Sequence, residues 1–233
     1  MATPGTLALL AHGEITIKGR LPRASNATYL VEVTSDGATA LAVYKPGRGE
    51  RPLWDFPPCL YRREVAAYLL SEALGWSLVP PTLEREGPLG PGSLQAFVAA
   101  DFAQHYFTLR EDSARHDQLR RICAFDLVAN NADRKSGHCL LGPDGAIWAV
   151  DNGLTFHVEP KLRTVIWDFA GKAIPAGILR DLKRLVKNGV PPPLAALLDA
   201  EEVVALLDRA RGLVEAGRFP SFPGGFSLPW PPV

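Results

Sequence analysis

Two carboxylates and the spacing between them carry the most specific chemistry in this chain. From Asn130 to Phe156 it reads N-N-A-D-R-K-S-G-H-C-L-L-G-P-D-G-A-I-W-A-V-D-N-G-L-T-F. A polar loop over 130–137 leads into an apolar run from His138 to Leu141. Gly142-Pro143-Asp144-Gly145 then reverses the chain into a second apolar run, Ala146 to Val150, which ends at Asp151-Asn152-Gly153. The pattern predicts a β-hairpin. Its strands are short and its turn is tight, so Asp133 before the first strand and Asp151 after the second emerge at one end and face one spot. Phosphoryl transfer from ATP uses such a pair. One carboxylate orients the incoming hydroxyl and accepts its proton; the other holds the divalent ion that bridges the phosphates.

Asp133-Arg134-Lys135-Ser136-Gly137-His138 followed by Asp151-Asn152-Gly153 resembles the catalytic and metal-binding loops of the protein-kinase-like superfamily. The likeness is to its atypical branches: phosphatidylinositol 3-/4-kinases, HipA-type kinases, and secretory casein kinases with their D-N-G variant. The resemblance implies Asp133 as the catalytic carboxylate and Asp151 as a metal ligand. Lys135 stands two residues after Asp133, where Ser/Thr protein kinases carry a lysine that contacts the transferred phosphate. His138 occupies the place of the usual metal-binding Asn. As a second metal ligand it implies a preference for Mn²⁺ over Mg²⁺, because imidazole suits manganese better.

The elements that must position these groups follow from periodicity. Pro4 and Leu7 to Ala11 read as a short helix that Gly13 ends. Glu14 to Lys18, Tyr29 to Val33 and Ala40 to Tyr44 alternate as strands, with Ser35-Asp36-Gly37 as a turn. An antiparallel meander of this kind opens a kinase small lobe. By the resemblance, the loop between its first two strands, with Ser25, Asn26, Ala27 and Thr28, lies over the nucleotide phosphates. It lacks G-x-G-x-x-G and is similar to the small polar loops of the lipid-kinase and HipA branches.

Lys45, at the end of the third strand, is by itself a solvated lysine. Tyr61 to Leu74 has apolar residues at 65, 66, 69, 70, 73 and 74, a helical period closed by Gly75. Glu64 lies in its first turn, where an acid is also favoured by the helix dipole. Taken together, strand-end lysine and helix-start glutamate match the kinase ion pair that holds the α- and β-phosphates. Ser93 to Val98 reads as a buried strand. The resemblance places the adenine-binding hinge at its end, which makes Gln95, Phe97 and Val98 candidate nucleotide contacts.

Trp54 and Phe56 lie in a Pro-rich loop and are too large to leave exposed; they either pack locally, the preferred reading, or form part of a substrate platform. Pro80-Pro81-Thr82 and Gly87 to Gly92 read as turn regions. Leu119 to Ala129 is an apolar helix that delivers the catalytic loop; Asp126 within it is either a buried structural acid or a surface residue. Trp167-Asp168-Phe169-Ala170-Gly171 imitates D-F-G but has an extra residue before Gly, and Asp151 is preferred. Ile178 to Val186 and Asp199 to Glu215 are amphipathic helices. The aromatic, Pro-rich tail from Phe219 is expected to pack back across the large lobe.

The fold class is therefore α+β: a two-lobed protein-kinase-like fold, with an antiparallel-sheet small lobe over 1–98 and a mainly helical large lobe over 99–233. At 233 residues there is enough chain for a substantial core. A formal net charge of +0 draws the chain neither to nucleic acid nor to an anionic membrane surface. No apolar run approaches the roughly 20 residues of a membrane span, and the N-terminus lacks a signal-peptide pattern. Three cysteines without metal-ligand spacing fit reduced thiols in a cytoplasm. The expected function is an ATP-dependent phosphotransferase using Mg²⁺ or Mn²⁺, with a protein or small polar molecule as acceptor. The alternatives are a nucleotide-binding pseudokinase, prompted by His138, and an AMP-transferring enzyme of the same fold.

Overall fold

The computed structural model describes residues 4–22 and 26–232; the expected phosphate-loop residue Ser25 lies outside them. Helix α1 (Pro4–His12) precedes an antiparallel sheet of five strands: β1 (Glu14–Arg20), β2 (Tyr29–Ser35), β3 (Ala38–Pro46), β4 (Thr82–Gly87) and β5 (Gly90–Ala96). The spatial order is β1-β2-β3-β5-β4. Alternation along β2 and β3 sends Val31, Val33, Ala42 and Tyr44 to one face, where they join Leu94 and Leu10 of α1 in a small core. Lys45 pairs across the sheet with Ser93.

Helix α2 (Leu60–Leu74) follows β3 and ends at Gly75, which caps it in the left-handed conformation (φ 73°). Ala66, Ala67, Leu70 and Leu74 of α2 do not join the sheet's core. They belong to a second, larger cluster built by the helices that follow. These are α3 (Tyr106–Leu109), α4 (His116–Ala129), α5 (Ala176–Asn188), α6 (Pro192–Ala195) and α7 (Ala200–Ala216). Between α4 and α5 the chain makes the hairpin β6 (Cys139–Leu141) and β7 (Ile147–Ala149), with Cys139 opposite Ala149. The architecture is α+β and kinase-like, as the motif order implied. Among the described residues no helix is long and apolar enough to cross a membrane.

Local details depart from these expectations or complete them. Trp54 is not packed: it is 95% exposed, with the Lys161 ammonium 5.7 Å from its ring centroid, and only Phe56 is buried. The stretch between the turn signals forms the edge strand β4, in which Glu84 and Glu86 are exposed while Arg85 turns to the other face and donates to the Leu10 carbonyl at 2.7 Å. His138 does not begin β6; it closes a 3₁₀ turn, Ser136–His138, ahead of it. The tail does fold back, since Ser136 N–H donates to the Pro232 carbonyl and Thr164 N–H to that of Ser227. Its aromatic side chains Phe226 and Trp230 nevertheless stay exposed.

Candidate active site

The hairpin does what its spacing requires. Val150 N–H donates to the His138 carbonyl at 3.0 Å, so the residues flanking β6 and β7 leave side by side. Asp151 then turns out of the strand in the left-handed region (φ 58°). That conformation is uncommon for a residue with a side chain and is best tolerated by Asp and Asn. It is also the kind of local strain found at functional sites.

From this point a row of charged and polar groups crosses the cleft. Asp151 Oδ1 accepts from Lys45 Nζ at 2.7 Å. The same ammonium donates to Glu64 Oε1, while Glu64 Oε2 accepts from the Asn152 backbone N–H at 2.9 Å. Glu64 of α2 therefore holds both the strand lysine and the loop at 151–153. On the other side, Asp151 Oδ2 lies 3.4 Å from His138 Nε2. His138 Nδ1 sits between the Asp133 carbonyl (3.0 Å) and the Lys135 N–H (3.3 Å). One neighbour accepts and the other donates, so the loop satisfies either imidazole tautomer. Lys135 Nζ completes the row 3.0 Å from Asp133 Oδ2.

The electrostatics follow from this crowding. The Lys45 ammonium holds the Asp151 carboxyl far below the usual carboxylate range, assisted by His138 and Lys135. Lys45 is itself held above its usual range by Asp151 and Glu64, which outweigh its burial. Burial pushes the His138 imidazole down to about 4, so it is neutral at pH 7 and its ring nitrogens can bind metal. Burial also raises Asp133, against the lowering effect of Lys135. Three carboxylates against two ammonium groups leave one negative charge uncompensated.

Asp151 and His138 present one carboxylate oxygen and one imidazole nitrogen toward each other. Among the described residues no group of three or more His, Cys, Asp or Glu is placed to hold a metal unaided. The donor set therefore fits an ion that keeps several ligands from water and from nucleotide phosphates, as Mg²⁺ and Mn²⁺ do. Asn152, the middle residue of D-N-G, faces inward: its Oδ1 accepts from Arg134 Nη2 at 2.6 Å.

Arg134 is a hub whose role could not be read from its place in a polar loop. Both it and Asp126 are 0% exposed. Its Nε and Nη2 grip the Asp126 carboxylate at 2.9–3.1 Å. Its Nη1 reaches the Val150 carbonyl at 2.7 Å. Helix α4, the loop at 133–135 and the end of β7 are thereby fixed to one guanidinium, which resolves Asp126 as a buried structural acid. Asn130 and Asn131 extend the brace. Asn131 Oδ1 accepts from Asp133 N–H at 2.9 Å, and Asn130 Nδ2 donates to the His157 and Glu159 carbonyls at 2.8 and 2.7 Å. The signal available for these two was their position at the end of an apolar helix, where Asn130 takes the left-handed C-cap (φ 53°).

The remaining candidates lie along the small lobe. Asn26 Oδ1 accepts from Arg51 N–H at 3.0 Å, and Ala27 N–H donates to the Gly49 carbonyl at 3.0 Å. Thr28 is buried. Gln95 is buried in β5 with its amide on Thr82 Oγ1 at 2.8 Å, so that side chain is already engaged. Phe97 N–H continues the sheet to the Leu41 carbonyl, and the Val98 carbonyl accepts from Ala100 N–H. Asp168, the D-F-G look-alike, pairs instead with the Tyr106 hydroxyl and with Arg110.

Sheet, hairpin and cleft define a chain of the protein-kinase-like fold. It belongs to the same family as Protein Rv2133c of Mycobacterium tuberculosis (strain ATCC 25618 / H37Rv), to which it is 41% identical over 263 residues, 96% of this chain and 94% of that protein. No described family profile matches the chain. Among solved structures it is similar to hydra Fam20 with sugar (TM-score 0.59, 14% identity, 90% of this chain and 87% of that one). It is also similar to the Golgi casein kinase with Mn/ADP bound (TM-score 0.55, 14% identity, 91% and 74%). A third likeness is to the Helicobacter pylori proinflammatory kinase CtkA (TM-score 0.50, 13% identity, 90% and 94%). At such identities the likeness is one of fold.

Proposed function

We propose that this protein is an ATP- and divalent-metal-dependent phosphotransferase acting on a hydroxyl of a protein or of a small polar molecule. The observation that carries the reading is the row Glu64, Lys45, Asp151, His138, Asp133 and Lys135, contributed by a helix, a strand and two loops. Four separate elements converge on one negatively charged cleft, and the fold is shared with a kinase that binds Mn and ADP. We assign the small lobe to 1–98 and the large lobe to 99–233. Within the fold we place the chain among the atypical branches, with a small lobe like those of phosphatidylinositol 3-/4-kinases and HipA-type kinases, and we assign it to the cytoplasm.

Each residue then has a task. Lys45, braced by Glu64, neutralises the α- and β-phosphates. Asp151 and His138 would hold a Mg²⁺ or Mn²⁺ ion, which supplies charge neutralisation across the transferring phosphates. Asp133 accepts the acceptor hydroxyl's proton, and its burial, by raising its pKa, makes it a better base than an exposed aspartate. Lys135 moves from Asp133 to the transferred phosphate as negative charge leaves the carboxylate. Ser25, Asn26, Ala27 and Thr28 are assigned to the phosphate loop, and Gln95, Phe97 and Val98 to the adenine side.

The test is transfer from γ-labelled ATP, with Mg²⁺ and separately with Mn²⁺, alongside nucleotide binding. Asp133→Ala should lose transfer by on the order of 10²–10⁴-fold while still binding nucleotide; Asp151→Asn should lose both. His138 in place of the usual Asn favours one second reading, a pseudokinase, which binding without transfer would support. Label transferred from α-labelled ATP alone would identify AMP transfer. Absence of nucleotide binding by the wild type would refute the phosphotransferase assignment.

A further inference from the structure

Glu64 has a neighbour that the proposed chemistry does not use. Arg63 leaves α2 about 100° around the helix from Glu64 and points away from Lys45 into the large lobe. It is 5% exposed. Its Nη2 donates to Glu202 Oε1 at 2.5 Å, its Nη1 donates to the Thr155 carbonyl, and its guanidinium carbon lies 5.6 Å from the Phe56 ring centroid. Glu202 is also largely buried and belongs to the first turn of α7, where its second oxygen accepts from Asp199 N–H at 3.1 Å. Thr155 is in turn tied to the metal loop, its hydroxyl donating to the Asn152 carbonyl at 2.7 Å. The amide of that same Asn152 donates to Glu64.

These contacts close a ring. Arg63 grips the exit of the metal-binding loop and α7, and Glu64 grips its start and Lys45. A buried ion pair is costly to desolvate and is often no more stabilising than apolar packing. Helix formation by α2 does not need it either, since the apolar face of α2 is already buried in the large cluster. What the pair does uniquely is set the rotation and depth of α2 against the large lobe, through two directional hydrogen bonds of one planar guanidinium.

We propose that Arg63 is a positioning residue: clamped to Glu202 and Thr155, it locks α2 onto the large lobe, so that Glu64 presents Lys45 to the nucleotide. In this protein α2 is a docked element rather than one that swings to switch the site. The inference rests on the reading of the cleft as a nucleotide site.

The test uses the full chain and binding of a fluorescent ATP analogue with Mn²⁺. Arg63→Met and Glu202→Gln should each weaken binding, by on the order of tenfold. Arg63→Lys, which cannot reach both partners in a plane, should fall between. In a Glu64→Gln background, Arg63→Met should cause no further loss of affinity while still lowering the melting temperature. A purely structural role would give losses that multiply, or none, and either result overturns the proposal. If Arg63→Met does not fold, Glu202→Gln and Arg63→Lys carry the same cycle. Hydrogen exchange needs no nucleotide: Arg63→Met should speed exchange through 60–74 and β3 while α5 stays protected. Unchanged or uniformly faster exchange overturns the clamp, whereas failure of the wild type to bind the analogue refutes the nucleotide reading instead.

Discussion

Replacing Asp126 by Asn keeps the side chain's shape and removes its charge, which isolates what the buried carboxylate does for the proposed catalytic loop. Every hydrogen bond this carboxylate makes is an incoming one. Arg134 Nε reaches both oxygens at 3.1 Å, and Arg134 Nη2, Asn131 Nδ2 and the Thr164 hydroxyl add contacts at 2.9, 3.1 and 3.2 Å. An amide in its place turns an N–H₂ toward donors whichever way it flips, and leaves the wholly buried Arg134 without a counter-charge. Breaking such a pair by removing one partner costs about 3–5 kcal/mol. For a chain of this size each kcal/mol moves the melting temperature by roughly 2–4 °C, so Asp126→Asn should melt about 6–20 °C lower. Thermal unfolding followed by circular dichroism checks it. A fall of less than about 2 °C would mean that the buried pair contributes under 1 kcal/mol and would refute the reasoning. The double variant Asp126→Leu/Arg134→Met, which leaves no orphan charge, should recover much of the stability. It should still lose nucleotide turnover, because Arg134 also holds the Val150 carbonyl and the Asn152 side chain.

Burial that pushes His138 down to about 4 makes the metal-free protein pH-sensitive on the acid side. Between about pH 6.5 and 4 the unfolded chain binds a proton at this position and the folded chain does not, so stability should fall as pH drops through that window, by up to about 3 kcal/mol. His138→Gln should flatten the slope in urea titrations with a chelator present; equal slopes would contradict the assignment. In turnover assays His138→Ala should erase a preference for Mn²⁺, and full wild-type activity in Mg²⁺ that the substitution leaves untouched would remove the ligand role. Gly92→Ala would set a Cβ 2.4 Å from the Lys45 carbonyl oxygen and 2.8 Å from Pro46 Cα, so β3 must shift. It should cost roughly 1–3 kcal/mol and weaken nucleotide binding, measured by calorimetry on the same samples. Native alkylation read by mass spectrometry should modify exposed Cys59 alone, since Cys123 and Cys139 are buried and burial holds Cys139 at about 12.

Local order was legible where a residue's own neighbours decide its conformation. Apolar runs bounded by Gly142-Pro143-Asp144-Gly145 can hardly do other than form a hairpin, and a 3.6-residue stripe closed by Gly75 forms the helix. Strand β4 carried no apolar signal because its charges sit where partners or water take them: Glu84 and Glu86 stay exposed at the sheet edge, Glu84 accepting from the Tyr61 hydroxyl, and Arg85 donates to the Leu10 carbonyl. Trp54 misled in the opposite direction. Its size argues for burial, yet the loop carries it outward, where the Lys161 ammonium lies over its ring.

What the sequence determined by itself was the order of elements and the chemistry available: a strand-end lysine, a glutamate on the helix that follows it and two aspartates flanking a hairpin; that this glutamate sits in the second turn of α2, not the first, was decided by the helix starting at Leu60. Only the tertiary structure decided how those groups are held. Arg134 lies in the polar stretch D-R-K-S, and nothing in its neighbours distinguishes a solvated arginine from one that is 0% exposed. Arg63 and Glu202 lie 139 residues apart, and Glu64 and Asn152 are 88 apart. Periodicity reports which face of an element is buried but carries no information about which distant group it meets. For buried charges that partner is decisive, because an ion removed from water is tolerable only with its counter-charge and hydrogen bonds in place.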